Sequence, residues 1–437
     1  MAALLVSAAS CKKSFWTNDN KNPQAPDSVS ANLILPNVLS SMGYTQGGDM
    51  SRYTALFTQQ VVGSASQSQA YYNYIINAGV FENVWADYYT STLTNNDTLM
   101  HLADRKGLNM YSGISRIFMA YCLQVGVDMW GDLPYSKAFQ GDADLKPSYD
   151  HAQGLYDTIA SLVHVGMAYI ANPNHGVLTP GADDGLYHGD SASWVYFGHA
   201  ILARLAIHQS KTTPAMAATA LQEVALAFPS RTFNASYIFS SSETAANPWY
   251  QFEEQRNGDE TFTDAPLITR MTANSDPRVN IFTDPSTDLG AYYGSANSPV
   301  EFITYDELLY VAAEGVLRNG GSYAASQAFL TQAITENMTK LGVAPGDIAT
   351  YLAAHGTMPT TSVDDAIAFI ANEEFTALYL NPEAWVVWRR TGSPVLAPIT
   401  GSEIPRRLLY PQSELSFNTA NTPTGITLFS PTLFWDK

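Results

Sequence analysis

Between residues 112 and 129, apolar side chains recur every three or four positions: Ile114, Ile117, Phe118, Tyr121, Cys122, Val125 and Met129. That spacing lines one face of an α-helix; a strand would alternate every second residue. The period returns along the chain. Residues 152 to 170 carry Leu155, Ile159, Leu162, Val163 and Ile170, and Trp194, Phe197, Ile201 and Leu205 mark a further helix. Leu221, Val224, Ala225 and Phe228 mark a shorter one, and Val80 to Leu102 is another candidate. After residue 303, Tyr305, Leu308, Leu309, Ala312 and Val316 form a stripe closed by Asn319-Gly320-Gly321. Residues 323 to 341 supply its partner, and Ile367, Ile370, Ala371, Phe375, Leu378 and Tyr379 a third stripe. The period predicts a mainly α chain of helix pairs, of the tetratricopeptide kind.

Three segments depart from the pattern. Residues 12–30 are polar and contain Pro23 and Pro26, which predicts an extended tether. Residues 229–302 lose the helical period but keep many aromatics, including Trp249, Tyr250, Phe252, Phe262, Tyr292 and Tyr293. A long irregular stretch this rich in aromatics predicts a functional, loop-rich second lobe. Residues 391–437 are rich in Pro, Ser, Thr and Asn and predict packed loops. The helical parts are then 31–228 and 303–390.

Asp plus Glu outnumber Lys plus Arg by 40 to 22, a formal charge of −18. Such a field repels a phosphate backbone, so nucleic acid is not an expected partner. The two cysteines, Cys11 and Cys122, imply no disulfide framework, and Cys122 falls inside an apolar stripe. Residues 1–11 end an apolar, small-residue run at Ser10-Cys11, as the close of a secretory signal does. Cys11 is therefore the candidate for lipidation, with an incidental Cys in an ordinary N-terminal stretch as the alternative. Ala8 stands where Leu is commoner, and no basic residue precedes the run. No segment is apolar and long enough to be a transmembrane helix.

Several motifs, taken in order, resemble the SusD/RagB family. Cys11-Lys12-Lys13, with Asn22-Pro23 after it, resembles the family's lipidated start. Trp130-Gly131-Asp132-Leu133-Pro134-Tyr135 resembles its characteristic turn, followed by Pro147-Ser148-Tyr149-Asp150 and a helix at Tyr156. Asp276-Pro277-Arg278 and Glu307-Leu308-Leu309-Tyr310-Val311-Ala312-Ala313-Glu314 resemble its middle elements. Trp388-Arg389-Arg390-Thr391-Gly392-Ser393-Pro394 and Pro405-Arg406-Arg407-Leu408-Leu409-Tyr410-Pro411 resemble its C-terminal ones. The resemblance implies a right-handed array of tetratricopeptide-like helix pairs carrying an irregular lobe. It implies an outer-membrane, cell-surface lipoprotein that captures oligosaccharide or, in some members, peptide. Its implied partner is a SusC-type TonB-dependent β-barrel transporter.

A sugar offers flat CH faces for aromatic rings and hydroxyls for Asn, Asp and Arg. The ligand candidates are therefore Trp249, Tyr250, Tyr292 and Tyr293, then Tyr71 and Tyr72, with Asn247, Asp264 and Arg256 as polar partners. The opposing reading for each aromatic is a packed core residue. Trp130 and Tyr135 are expected to fix how helix pairs meet. Arg389, Arg390, Arg406 and Arg407 are expected to pair internally with Glu307, Glu314 or Glu374, because a buried Arg needs a partner.

Catalytic motifs are missing: there is no Gly-x-Ser-x-Gly elbow, no Walker loop and no His-Glu-x-x-His. Glu253-Glu254 and Glu373-Glu374 are adjacent pairs whose side chains diverge on a helix. The chain is expected to be no enzyme and to need no cofactor. Calcium on surface acids, for example Asp183-Asp184, stays open although no loop defines it. The rival readings are a helical scaffold that binds only protein, which requires all four leading aromatics to be buried, and a surface glycosidase, which requires two facing carboxylates.

Overall fold

The computed structural model describes residues 29–437. Cys11 and most of the expected tether lie outside the described residues. The longer helices are α1 (Ala31–Thr45), α2 (Thr94–Lys106), α3 (Asn109–Trp130), α4 (Ala152–Ile170), α5 (Ser191–Gln209) and α6 (Met216–Val224). After them come α7 (Pro248–Arg256), α8 (Pro266–Ala273), α9 (Tyr305–Arg318), α10 (Tyr323–Lys340), α11 (Pro345–His355), α12 (Val363–Ala377) and α13 (Glu383–Thr391). Consecutive helices pair: α3 with α4, α5 with α6, α9 with α10, and α12 with α13. The expected array of helix pairs is the observed fold.

The α3/α4 pair shows how sequence fixes the packing. Gly113 lies against Gly166, and a Cβ on Gly113 would meet Ile170 Cγ1 at 2.5 Å and the Gly166 carbonyl oxygen at 2.7 Å. Two glycines thus let the backbones touch at one end. At the other end the Tyr156 hydroxyl donates to Asp128 Oδ1 at 2.7 Å, so the helices run antiparallel. The sequence shows one stripe on α3, yet only Asn109 and Arg116 escape burial along its length. Neighbours cover it on all sides, and its Ser, Gly and Ala positions are buried as well. In α4 the buried set, Leu155, Tyr156, Ile159, Val163, Gly166 and Ile170, is one stripe.

Helix ends follow capping chemistry. Asp190, Ser322 and Ser362 accept the backbone N–H three residues on, at the starts of α5, α10 and α12. α3 stops at Gly131, whose φ of +85° suits glycine. The following turn is tied down twice. Asp132 Oδ1 accepts the N–H of Ala152 at the start of α4, and Asp150 Oδ2 accepts those of Tyr135 and Ser136. Trp130 is fully buried and its indole donates to the Leu409 carbonyl at 3.1 Å, while Tyr135 is only half-buried.

Residues 229–302 contain more regular structure than their sequence predicts. They hold α7, α8 and short antiparallel pairings. Strand β2 (Ala235–Ile238) pairs with β6 (Pro299–Ile303), and β4 (Thr283–Asp284) with β5 (Asp288–Leu289). β1 (Val62–Gly63) pairs with β3 (Glu260–Thr261), which ties the stretch to the N-terminal helices. Phe239, Trp249 and Phe262 join the same core as α1 to α5, and so do Leu408, Tyr410 and Trp435 of the C-terminal loops. A second core, with Leu309, Leu330, Ile334, Met338, Ile348 and Ile370, sits among α9 to α12.

Of the four C-terminal arginines only Arg390 pairs as expected, with Glu314 at 2.5 and 2.9 Å and with Glu374 at 4.0 Å. Arg406 pairs with Asp436 instead. Arg389 stacks over Trp385 at 3.7 Å and donates to the carbonyls of Asp128 and Arg406. Arg407 donates to the Trp130 carbonyl. Glu307 takes Arg204, with both bonds at 2.7 Å. Main-chain carbonyls left over at loop ends serve as acceptors for a buried guanidinium, and sequence gives no sign of them.

Candidate ligand-binding face

Helix α1 runs into a π-helical turn, Gln46–Met50, before the helix Ser51–Phe57. Gly47 and Gly48 in that turn let α7 approach. A Cβ on Gly47 would meet Val300 Cγ2 at 2.3 Å, and one on Gly48 would meet Pro248 at 3.4 Å. α7 starts there because Asn247 Oδ1 accepts from Trp249 N at 2.8 Å and Tyr250 N at 3.3 Å, with Pro248 in the first turn. Two pockets flank this junction.

The inner pocket is lined by Asn247, Trp249, Tyr292 and Tyr293 with Glu301 and Asn381. Its volume is about 30 Å³, enough for a water or two and too small for a sugar ring. Trp249 is 3% exposed, its indole donates to Ser51 Oγ at 2.9 Å, and Phe262 meets it edge-on at 5.5 Å. Tyr292 and Tyr293 are half-buried, with rings 4.9 Å apart. Tyr293 packs edge-on against Phe282 and Tyr379, and the Tyr292 hydroxyl donates to Glu301 Oε1 at 3.2 Å. Asn247 is occupied by its cap and by donating to the Ser298 carbonyl.

The structure does not bring the other predicted residues to this pocket. Tyr250 is half-buried and lines neither pocket. Tyr71 and Tyr72 are half-buried on the short helix Ser66–Tyr72, and Tyr71 meets Tyr53 edge-on at 5.4 Å. Asp264 is exposed, and exposed Arg256 lies 3.9 Å from Asp259. Three of the four leading aromatics therefore keep partial exposure, and the burial of all four that the protein-only scaffold requires is not met.

The outer pocket is an open cleft of about 230 Å³ that sequence reasoning missed. Tyr44 comes from α1, and Asp49 and Arg52 from the π-helical turn and short helix that follow it. Asp87 comes from the π-helical segment Asp87–Leu93, and Gln251, Phe252 and Gln255 from α7. The Arg52 guanidinium lies 4.1 Å over the Phe252 ring and pairs with Asp49. Tyr44 is half-buried and backed edge-on by Phe239 at 4.9 Å. Beneath lies Glu260, 2% exposed, accepting from Ser68 Oγ at 3.0 Å. Burial pushes the Glu260 carboxyl up to about 7 although Arg52 opposes this. Burial, then Glu260, Asp288 and Asp259, push Glu253 up to about 8. Flat rings, a stacked guanidinium, carboxylates and amides suit a ligand with CH faces and hydroxyls. The available signal was Gly47-Gly48-Asp49 inside a helical pattern, and Phe252 set among Gln and Glu on α7.

Among the described residues, Asp128, His208 and Glu383 form the one set of three that could hold a metal. They are spent on each other: His208 Nε2 lies 2.7 Å from Glu383 Oε1, and its Nδ1 lies 2.9 Å from the Tyr156 hydroxyl bound to Asp128. Asp183 and Asp184 belong to no such set. Asp184 accepts the backbone N–H of Leu186, Tyr187 and Gly189 and the Trp194 indole.

The sequence profile of the SusD-like family, described as starch-binding and associating with the outer membrane, matches residues 23–296 and 290–411. The chain belongs to the SusD-like family. Solved structures agree in fold. A SusD/RagB family protein from Bacteroides thetaiotaomicron is 22% identical, with TM-score 0.75, covering 94% of this chain and 99% of that one. A protein described as chitin-binding is 19% identical, with TM-score 0.76 and coverage of 93% and 100%. A Bacteroidetes SusD-like protein is 17% identical, with TM-score 0.78 and coverage of 94% and 100%. A comparison with curated proteins finds no match. Family membership makes this a glycan-binding, outer-membrane-associated SusD-type protein.

Proposed function

We propose that this SusD-like protein captures an oligosaccharide, without cleaving it, in the outer cleft and passes it to a SusC-type TonB-dependent transporter. The observation that carries the reading is the pairing of Arg52 over Phe252 beside Tyr44, Asp49 and Asp87 in an open cleft. One sugar ring lies against the aromatic rings of Tyr44 and Phe252 while its hydroxyls meet Asp49, Arg52 and the α7 amides. Residues 229–302 act as the ligand lobe because they supply α7. Tyr292 and Tyr293 support that wall from behind. A lipid on Cys11 holds the protein at the cell surface, since each buried CH₂ contributes roughly 0.8 kcal/mol to membrane attachment. The fold neighbour described as chitin-binding favours a glycan over a peptide. No catalysis is ascribed to the raised carboxyls, since Glu260 is sealed behind Ser68.

Isothermal titration with maltooligosaccharides, chitooligosaccharides and a control peptide tests this. Binding of a glycan that Phe252→Ala weakens at least tenfold is the expected result. Peptide binding alone, a Phe252→Ala variant of full affinity, or hydrolysis of the bound glycan each sinks the reading. Co-purification with the transporter is expected to disappear when Cys11→Ala releases the protein from the membrane.

A further inference from the structure

Arg270, on α8, is handled differently from the other arginines. Arg204, Arg278 and Arg390 face carboxylates, and Arg389 and Arg407 face main-chain carbonyls. Among the described residues, every other buried or half-buried arginine has such an acceptor. Arg270 has no hydrogen bond and no ion pair. Its Nη2 is buried without a partner, and its guanidinium lies 5.7 Å from the Phe375 ring centroid. Burial lowers its pKa, with Glu373 opposing. In a chain with 40 acids against 22 bases, a largely buried guanidinium that forms no ion pair is unexpected on charge grounds alone.

Arg270 lines a cleft of about 370 Å³ between α8, α11 and α12. Two acids also line it, but their oxygens are taken. Both oxygens of Asp276 accept from Arg278. Glu373 Oε2 accepts from Arg278 at 3.1 Å and its Oε1 from the Tyr351 hydroxyl at 2.7 Å. Two acids and two arginines sum to zero here, inside a molecule of formal charge −18. An anion entering this cleft meets Arg270, while the charges of the two acids are held by Arg278. Phe369 offers a ring, and Asn274 and Thr357 offer polar groups, on the remaining walls.

We propose that this cleft is a second binding site, for a uronic-acid residue whose carboxylate pairs with Arg270. A carboxylate brings a full negative charge to the guanidinium, whereas a neutral hydroxyl brings only a hydrogen-bond acceptor. Phe369 covers a CH face of the sugar, and Asn274 and Thr357 meet its hydroxyls. The choice of a sugar over other carboxylates rests on the glycan-binding reading above.

Isothermal titration of the full chain with D-glucuronate, D-glucose and acetate tests the proposal. Glucuronate is expected to bind at least tenfold tighter than glucose or acetate. Arg270→Gln is expected to lose at least tenfold while melting as the parent does. Asn372→Asp, which places a carboxylate on the same cleft wall, is expected to show the same loss. Phe252→Ala, in the other cleft, is expected to leave glucuronate binding unchanged. Full affinity in Arg270→Gln, or glucose binding equal to glucuronate, overturns the site. Acetate binding as tight as glucuronate overturns the sugar assignment. Loss of neutral-glycan binding in Phe252→Ala with glucuronate binding intact shows that the two sites stand or fall separately.

Discussion

At the scale of single residues, buried charge sets how this protein responds to pH. Burial alone would raise the Glu314 carboxyl, but the guanidiniums of Arg390 and Arg318 overcome it and hold the group at about 2, against an ordinary 4.5. A depressed carboxyl contributes stability that is complete above its unfolded pKa and is lost as pH falls through the folded one. Glu314 therefore contributes on the order of 3 kcal/mol, lost between about pH 4.5 and 2. Glu314→Gln leaves buried Arg390 without its two short bonds and with only Glu374 at 4.0 Å, and is expected to cost about 3–5 kcal/mol at neutral pH. Urea melts at pH 7 and pH 3 check both, and an unchanged acid limb in the variant refutes the assignment. Glu260 behaves in the opposite sense. Its carboxyl is raised to about 7, so its contribution is complete below about pH 4.5 and is lost as pH rises through 7. Glu260→Gln keeps the Ser68 bond and is expected to raise Tm at pH 8 but not at pH 4.5. Sequence pointed to Arg390 with Glu314, and missed Arg204 with Glu307, which lie 103 positions apart. Nothing local in the chain marks which distant acid an arginine will meet.

At the scale of elements, packing of α3 on α4 depends on a missing side chain. Gly113→Ala puts a Cβ 2.5 Å from Ile170 and 2.7 Å from a backbone oxygen, and the oxygen cannot rotate away. The expected cost is roughly 1–3 kcal/mol, measured as a lower urea midpoint with an unchanged slope. A stability equal to the parent would mean that the two helices separate at no cost. α4 and α9 announce themselves by their stripes. α7 does not, because of its residues only Trp249 is buried. Its helix rests on the Asn247 cap, Pro248 and the room that Gly47 and Gly48 leave. Asn247→Ala is expected to cost about 1 kcal/mol for the lost cap and to weaken glycan binding, because α7 carries Phe252. Intact binding beside the lost stability would detach α7 from the site.

At the scale of the whole molecule, two clefts sit on different parts of one helical array. The outer cleft joins the α1 end to α7, and the Arg270 cleft lies between α8, α11 and α12. A saturating glycan is expected to raise Tm, by the linkage of binding to folding, and Phe252→Ala is expected to abolish that rise for a neutral glycan alone. The sequence by itself determined the helical class, the family and the turn around Trp130, because period, capping and Gly/Pro breaks are local. It marked residues 229–302 as rich in aromatics, but not the helices and paired strands they form. Only the tertiary structure decided which aromatics remain open. Trp249 went to the core, and Tyr44 and Phe252 took the cleft. Exposure of a ring is the sum of everything that packs on it, and those neighbours come from segments some two hundred residues apart.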